Sequence, residues 1–148
     1  MTDLVVLNGL SDALRASYPD TPIILPNEPI DAQIAANDVY FEIAVTGRTW
    51  TRETEESTLS TAVGSIIING RQNTGVGEVD SIADALLAYF APLNFSLRNG
   101  FTWTDGETIA RAYVVESQRS ESGIHNGRFK VTVFITFEIY EEKRNVGN

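Results

Sequence analysis

The chain has 148 residues, of which 43% are hydrophobic and 21% are charged, which suits one soluble globular domain spanning residues 1–148. It has no cysteine, which excludes disulfides, thiolate metal sites and cysteine nucleophiles, and its one histidine, His125, excludes a multi-histidine metal site. The formal net charge is −9, and Lys130 and Lys143 are the only lysines, so tight binding to duplex DNA or to an anionic membrane is not expected.

The N-terminal part of the chain predicts a helix followed by an irregular segment. Apolar residues recur at three- and four-residue spacing over residues 3–18, which indicates an amphipathic helix that ends at Pro19. Three more prolines follow by residue 29, so any strand at 23–25 is limited to a sheet edge or a short extended piece. The first residues lack the basic start of a signal peptide, and no apolar run reaches about 18 residues. These features predict a cytoplasmic chain at synthesis.

Two strands are expected in the next part of the chain. Alternation between apolar and polar residues over 39–46 predicts a half-buried strand that places Val39, Phe41, Ile43 and Val45 on one face. Residues 47–58, GRTWTRETEEST, are rich in charge and threonine, and they predict a long hairpin connection or an exposed projecting loop. A second strand is expected over residues 59–69.

A glycine-rich turn and a second helix follow, within INGRQNTGVGEVDSIADALLAYF. The glycines at positions 70, 75 and 77 allow positive φ angles in a strand-to-helix turn. Apolar spacing from Val79 to Phe90 predicts a helix that Pro92 ends. Acceptors and negative charge at positions 78, 80 and 81 suit the helix N-terminus, and Ser81 with Asp84 has the spacing of a capping box.

The last third of the chain is expected to form strands. In FSLRNGFTW a three-residue loop at 98–100 pairs Leu97 with Phe101 and Phe95 with Trp103. A turn at 105–106 precedes a strand over 108–117, and a polar loop, QRSESGIHNG, occupies 118–127. Residues 129–140 alternate most regularly and predict a strand longer than the usual five or six residues.

The predicted order of elements is helix, strand, strand, helix and then strands. It indicates an α+β fold, with a mainly antiparallel, possibly mixed β-sheet and two α-helices packed on one face. Three aromatic residues, Tyr40, Phe134 and Tyr140, are expected on the opposite face of this sheet. Large apolar residues on an outer face predict contact with another subunit.

The glycine turn resembles two nucleotide-binding signatures but lacks the residues that bind phosphate. Gly70 and Gly75 have the spacing of a P-loop, whose next positions must be Lys and Ser or Thr, whereas here they are Val76 and Gly77. A dinucleotide fingerprint starting at Gly75 needs a third glycine where Asp80 stands. A strand-to-helix turn therefore explains the stretch better than a cofactor site, and no cofactor is expected.

Catalytic and metal-binding constellations are also weak. A serine nucleophile would have to use His125, which lies in the predicted polar loop, and no G-x-S-x-G motif is present. Calcium binding at Asp105 and Glu107 would need further oxygen ligands in register, which the local sequence does not supply. Trp50 suits either a core anchor or an interface residue. No enzyme activity, catalytic residue or metal ligand is predicted.

The succession of elements resembles the tail terminator (tail completion) proteins of long-tailed bacteriophages. The likeness is clearest in the strand, G-x-G turn and IADALLAYF helix, and it extends through LPNEPID and the closing strand RFKVTVFITFEIY over nearly the whole chain. It implies a small α+β subunit in a hexameric ring, which caps the head-proximal end of the tail tube and presents a surface to the head connector. It implies assembly in the host cytoplasm and a place in the virion.

The resemblance implies four kinds of partner: copies of the chain itself, the tail-tube protein, the head-tail connector or neck protein, and DNA that passes through an acidic lumen without specific binding. The loops at 47–58 and 118–127 are candidates for these contacts because of their length and polarity. The candidate interface residues are Trp50, Arg52, Glu53, Arg119, Phe134 and Tyr140. Another neck or tail-tube subunit would share these features, and a small ligand-binding module using the 70–80 turn is a further alternative.

Overall fold

The fold is α+β, as the order of sequence patterns predicts. A computed structural model describes residues 2–26, 28–29, 39–53, 57–71, 76–91, 100–105, 108–125 and 128–143. Its elements in chain order are helix α1 (Thr2–Ser17), strands β1 (Ile23–Ile24), β2 (Val39–Glu53) and β3 (Ser57–Arg71), helix α2 (Val76–Tyr89), and strands β4 (Gly100–Asp105), β5 (Thr108–His125) and β6 (Arg128–Lys143).

The described strands form one sheet in the order β1-β2-β3-β6-β5-β4. β1 runs parallel to β2 at the edge, as the prolines around it require, and the other neighbours are antiparallel. Both described helices pack on the same face of this sheet. Side chains of α1 lie against Gly64 of β3, and Val79 of α2 lies against Gly70 of the same strand. The mainly antiparallel, mixed sheet with helices on one face is therefore confirmed.

The core lies between the helices and this sheet face. It follows the predicted alternation, because alternate residues are buried against the helices over Val39–Ile43 of β2, Ala62–Ile68 of β3 and Val131–Ile139 of β6. The largest fully buried side chains are Leu10 and Leu14 of α1, Phe41 of β2, Ile66 and Ile68 of β3, Phe90 after α2, and Ile135, Phe137 and Ile139 of β6. Phe101 of β4 joins them, with ring centroids 6.2 Å from Phe90 and 5.5 Å from Phe137.

Two glycines allow the helices to approach the sheet closely. A Cβ built on Gly9 of α1 would lie 2.1 Å from the Phe101 ring, and one on Gly70 would lie 2.3 Å from Cγ2 of Val79. Among the described glycines only Gly123 has a positive φ, 75°. Neither Gly70 nor Gly77 uses the positive φ that glycine allows, and Gly75 lies outside the described residues. Gly70 continues β3 and gives room to α2, while Gly77 belongs to the helix itself.

The segment 47–58 is mostly strand, which corrects its prediction as a long loop. β2 continues to Glu53 and β3 begins at Ser57, so the two strands pair almost to their ends. Two register shifts, between Thr46 and Arg48 and between Trp50 and Arg52, interrupt the pairing. Such bulges break the strict alternation by which a strand is recognised in a sequence.

The prediction of a polar loop over 118–127 is also wrong, because β5 contains bulges that interrupt the alternation of a strand. β5 runs to His125 and pairs with β6 along its length, with register shifts between Val114 and Glu116 and between Glu121 and Gly123.

The prediction of a capping box at Ser81 and Asp84 is also wrong, because α2 begins at Val76 and Ser81 lies within the helix. In the predicted 95–103 hairpin, residues 95–99 lie outside the described part, and Phe101 and Trp103 pair with β5.

Candidate interaction surface

No group of three or more described His, Asp or Glu side chains could hold a metal ion. No described helix combines the length and the apolar composition needed to cross a lipid bilayer. The candidate interaction surfaces lie on the sheet.

One face of the sheet points away from α1 and α2, and we call it the outer face. Its residues alternate with the buried apolar positions of the central strands. They are Tyr40, Glu42 and Ala44 on β2, Val63, Ser65, Ile67 and Asn69 on β3, and Lys130, Thr132, Phe134, Thr136, Glu138 and Tyr140 on β6. Phe134 is partly buried and Tyr140 is 37% exposed. The predicted position of both residues is confirmed, and their contact with another subunit stays a prediction.

The margin of the sheet at β5 exposes two further apolar residues. β4 pairs with Thr108–Tyr113 of β5, and β5 then continues beyond it. Val115, at the first bulge, is 46% exposed, and Ile124 is 56% exposed. Exposed apolar side chains along a sheet margin mark a contact surface or an aggregation hazard. Sequence reasoning missed both residues, because it placed Ile124 in a loop and did not anticipate the bulge at Val115.

Three of the predicted interface residues lie near the end of β2. Trp50 pairs with Ser60, Arg52 with Leu59 and Glu53 with Thr58. Their side chains are outside the described part of the structure, so their roles as interface residues stay predictions. The backbone positions nevertheless show that these residues belong to a strand pair and not to a loop.

Arg119 contacts a helix of its own subunit. Its Nη1 lies 3.2 Å from Oδ1 of Asp84, and its Nη2 pairs with Oδ1 of Asp80, so the guanidinium ties β5 to α2. The side chain of Arg119 is 18% exposed. The predicted loop position of Arg119 was wrong, and its ion pairs give it a structural role that the sequence did not reveal. Of the six candidate residues, Arg52 and Tyr140 lie in one row of the sheet, because both pair with Leu59, whereas Phe134 and Arg119 lie farther along β6 and β5.

A polar, well-packed region lies at the Arg128 end of the outer face. The guanidinium carbon of Arg128 lies 4.7 Å from the ring centroid of Tyr40, a cation–π distance. Burial raises the pKa of the Tyr40 hydroxyl above its ordinary value of 10.0, while Arg128 lowers it and Glu42 raises it further. Asn69 is fully buried, and its Nδ2 donates to the carbonyl oxygens of Tyr40 at 3.5 Å and of Ile67 at 3.4 Å.

A cavity of about 240 Å³ lies beside β1. Its walls are apolar apart from two carboxylates, and the lining residues are Ile24, Leu25, Pro26, Glu28, Glu42, Ile43, Ala44 and Ile67. The backbone N–H of Leu25 donates to Oε2 of Glu28 at 3.3 Å, which fixes this carboxylate in the local turn. None of these described lining residues carries a hydroxyl, imidazole or amine that could act as a nucleophile.

Comparison with known proteins supports the fold of this chain and gives no information about its function. No protein-family model matches the sequence, and no curated protein is similar to it. One solved structure, whose name carries no functional description, matches 92% of this chain over 91% of its own length, with a TM-score of 0.59 and 15% sequence identity. At this identity the likeness extends to the fold alone, which the two chains share over nearly their whole lengths.

Proposed function

We propose that the chain is a structural subunit of a bacteriophage tail that assembles into a homo-oligomeric ring, caps the head-proximal end of the tail tube and ends polymerisation of the tube. The observation that carries the proposal is the exposure of two apolar side chains along β5, Val115 and Ile124, in addition to that of Tyr140 on the outer face. The resemblance of the sequence to tail terminator proteins supplies the biological setting.

 

A ring contact between identical subunits joins two different surfaces of the same chain, and each surface must be complementary to the other. Exposed apolar side chains at the β5 margin supply one such surface, because burying them against a neighbour removes apolar area from water. Strand β5, of 18 residues, is much longer than the usual five or six and extends beyond the six-residue β4, so it offers a long margin for this contact. The acidic composition of the chain suits a lumen that DNA passes without adhering.

A charge placed on the β5 margin tests the proposal. Val115→Glu introduces a carboxylate at a side chain that is 46% exposed, so we expect the subunit to fold normally and ring assembly to fail. The matched control is Ala85→Glu, which introduces the same charge on the exposed side of α2, away from the sheet. Light scattering gives the mass of the assembly, and thermal unfolding reports whether each variant is folded.

The two variants separate the proposal from a general effect of charge. Loss of the ring in Val115→Glu and its retention in Ala85→Glu would support a contact at the β5 margin. Assembly that is equally strong in both variants would contradict it. A wild-type chain that stays monomeric at high concentration and does not cap tail tubes would contradict the tail function as a whole.

Two alternatives remain open to direct tests. A neck, head-tail joining or tail-tube subunit would share the size, acidity and ring assembly, and gene order would distinguish it, since a terminator gene is expected just before the gene of the major tail-tube protein. A ligand-binding module using the 70–80 turn would gain about 2.7 kcal/mol of stability at a ligand concentration 100 times the dissociation constant. Packing of Val79 against Gly70 explains that glycine without a ligand.

A further inference from the structure

The cavity beside β1 lies where this short strand ends. β1 has two residues and ends at Ile24. The chain then turns, because the N–H of Leu25 donates to the carboxylate of Glu28 and the N–H of Glu28 donates to the carbonyl oxygen of Leu25 at 3.1 Å. The turn leaves a space of about 240 Å³ beside the next part of β2, whose Ile43 and Ala44 are among its lining residues.

A backbone acceptor of β2 points to the same edge of the sheet. The N–H of Phe41 donates to the carbonyl oxygen of Pro22 at 2.9 Å, so the polar backbone groups of Phe41 face β1. Those groups change side with each residue of a strand, and the carbonyl of Ile43 therefore faces this edge too. A longer parallel ladder would pair this carbonyl with the N–H of residue 26, but Pro26 has no N–H to donate. β1 therefore supplies no donor to the carbonyl oxygen of Ile43.

The polar side chains that line the cavity are acceptors. They are the carboxylates of Glu28 and Glu42, and the other described lining side chains are apolar. Oε2 of Glu28 accepts the N–H of Leu25 at 3.3 Å, which orients this carboxylate and leaves Oε1 for another donor. None of the described lining residues carries a positive charge. A site with two negative charges and no side-chain donor favours a ligand that brings a positive charge and N–H donors.

The volume of the cavity limits the ligand to a small molecule. A volume of about 240 Å³ exceeds the roughly 150 Å³ of an apolar cavity that holds benzene, and it is below the roughly 300 Å³ at which pockets for drug-sized ligands begin. One aromatic ring or a short alkyl chain therefore fits beside Ile24, Leu25 and Ile67, which contribute apolar walls. Pro26 and Glu28 are exposed, so one side of the cavity lies at the protein surface and a ligand can enter from solvent.

We propose that this cavity binds a small organic amine, whose protonated nitrogen donates to the carboxylates of Glu28 and Glu42 and to the carbonyl oxygen of Ile43 while its apolar body packs against the walls. The cavity can enclose a whole molecule of this size, which favours a free amine over the side chain of a protein partner. The inference goes beyond the proposed function, because the cavity lies at the β1 edge, opposite the edge formed by β4, and needs no ring. An amine of about nine non-hydrogen atoms should bind with a dissociation constant on the order of 1 mM.

The test titrates phenethylamine into the isotope-labelled full chain and follows the backbone amide NMR signals of Leu25 and Ile43. Phenethyl alcohol, the neutral matched ligand, should bind at least about tenfold more weakly, because hydrogen bonds from a charged donor are stronger. Glu42→Gln should weaken binding of the amine at least about tenfold and leave binding of the alcohol unchanged, which shows that the cavity is intact. The control is Glu138→Gln, which removes the same charge from a partly exposed position of the outer face, opposite Thr61 and away from the cavity. A lysine-containing peptide is titrated in parallel.

Saturable shifts of both amide signals by the amine, weakened in Glu42→Gln and unchanged in Glu138→Gln, would support the proposal. Equal affinities for the amine and the alcohol would overturn it, since the cavity would then not select a cation. Equal losses in the two variants would also overturn it, because only total charge would matter. The same holds if the folded wild type shows no shifts at about 10 mM amine, ten times the expected dissociation constant. Tighter binding of the peptide than of the amine would replace the free amine by a protein side chain as the occupant. Ring assembly is measured separately, so the two proposals can fail independently.

Discussion

Replacing Gly70 with alanine tests whether this glycine is present for packing or for backbone conformation. The added Cβ would lie 2.3 Å from Cγ2 of Val79, a side chain that is only 1% exposed and has no room to move away. Overpacking of this kind costs about 1–3 kcal/mol. The lower backbone entropy of alanine in a strand recovers about 0.5–1 kcal/mol. We therefore expect Gly70→Ala to lower the free energy of unfolding by about 1–2 kcal/mol.

A second substitution should relieve the clash. Val79→Ala alone removes two buried methyl groups and should cost about 1–3 kcal/mol. In the double variant Gly70→Ala/Val79→Ala the new methyl group enters the space that Val79 vacates, so the total loss should be smaller than the sum of the single losses by at least about 1 kcal/mol. Gly77→Ala is the control, because its Cβ would meet nothing within 4 Å and alanine favours the helix by about 0.5–1 kcal/mol.

Urea unfolding of the four proteins and the control gives these free energies, and thermal unfolding checks them, with about 2–4 °C expected per kcal/mol. If Gly70 instead needed a positive φ, removing the Val79 methyl groups could not relieve the strain. The two losses would then add within about 0.5 kcal/mol, and this result would refute the packing explanation.

Two further predictions concern charged and titrating groups. The ion pair of Arg119 with Asp80 should stabilise the folded chain by about 0.5–1 kcal/mol, measured as the coupling energy in a double-mutant cycle of Arg119→Met and Asp80→Asn. This coupling energy should decrease in high salt. A coupling energy near zero would show that the pair does not stabilise the contact between α2 and β5. Burial raises the pKa of Tyr18 and Tyr40 above 10.0, so the folded state keeps their protons longer than the unfolded state does. Stability should therefore fall as the pH rises through and above about 10, and Tyr40→Phe should lose less than the wild type; an identical pH dependence would contradict this.

The sequence predicted the elements whose apolar spacing is regular. The stripe of α1 and the alternation of β6 led directly to Leu10, Leu14 and the buried residues of the last strand. These elements pack one side against a single core, so their pattern is visible without knowledge of the partner. The edge position of β1 also followed from the chain, because prolines on both sides of it limit strand pairing.

The predictions failed where strands contain bulges or carry polar residues. β2 and β5 each continue through two register shifts, and the shifted residues no longer alternate in the way that marks a strand. The tie between Arg119 and α2 joins residues 35 and 39 positions apart, a contact that no local pattern specifies. The packing role of Gly70 could not be predicted either, because it depends on the contact between Val79 of α2 and this position of β3.

The most direct test of the proposed tail function is electron microscopy of purified tail tubes polymerising with and without the protein. The account predicts a ring at one end of each tube and tubes that stop growing once the ring is bound. Val115→Glu should form no ring, and Ala85→Glu should behave as the wild type. Tubes that grow to the same lengths in the presence of the wild-type protein, with no ring at either end, would contradict the account.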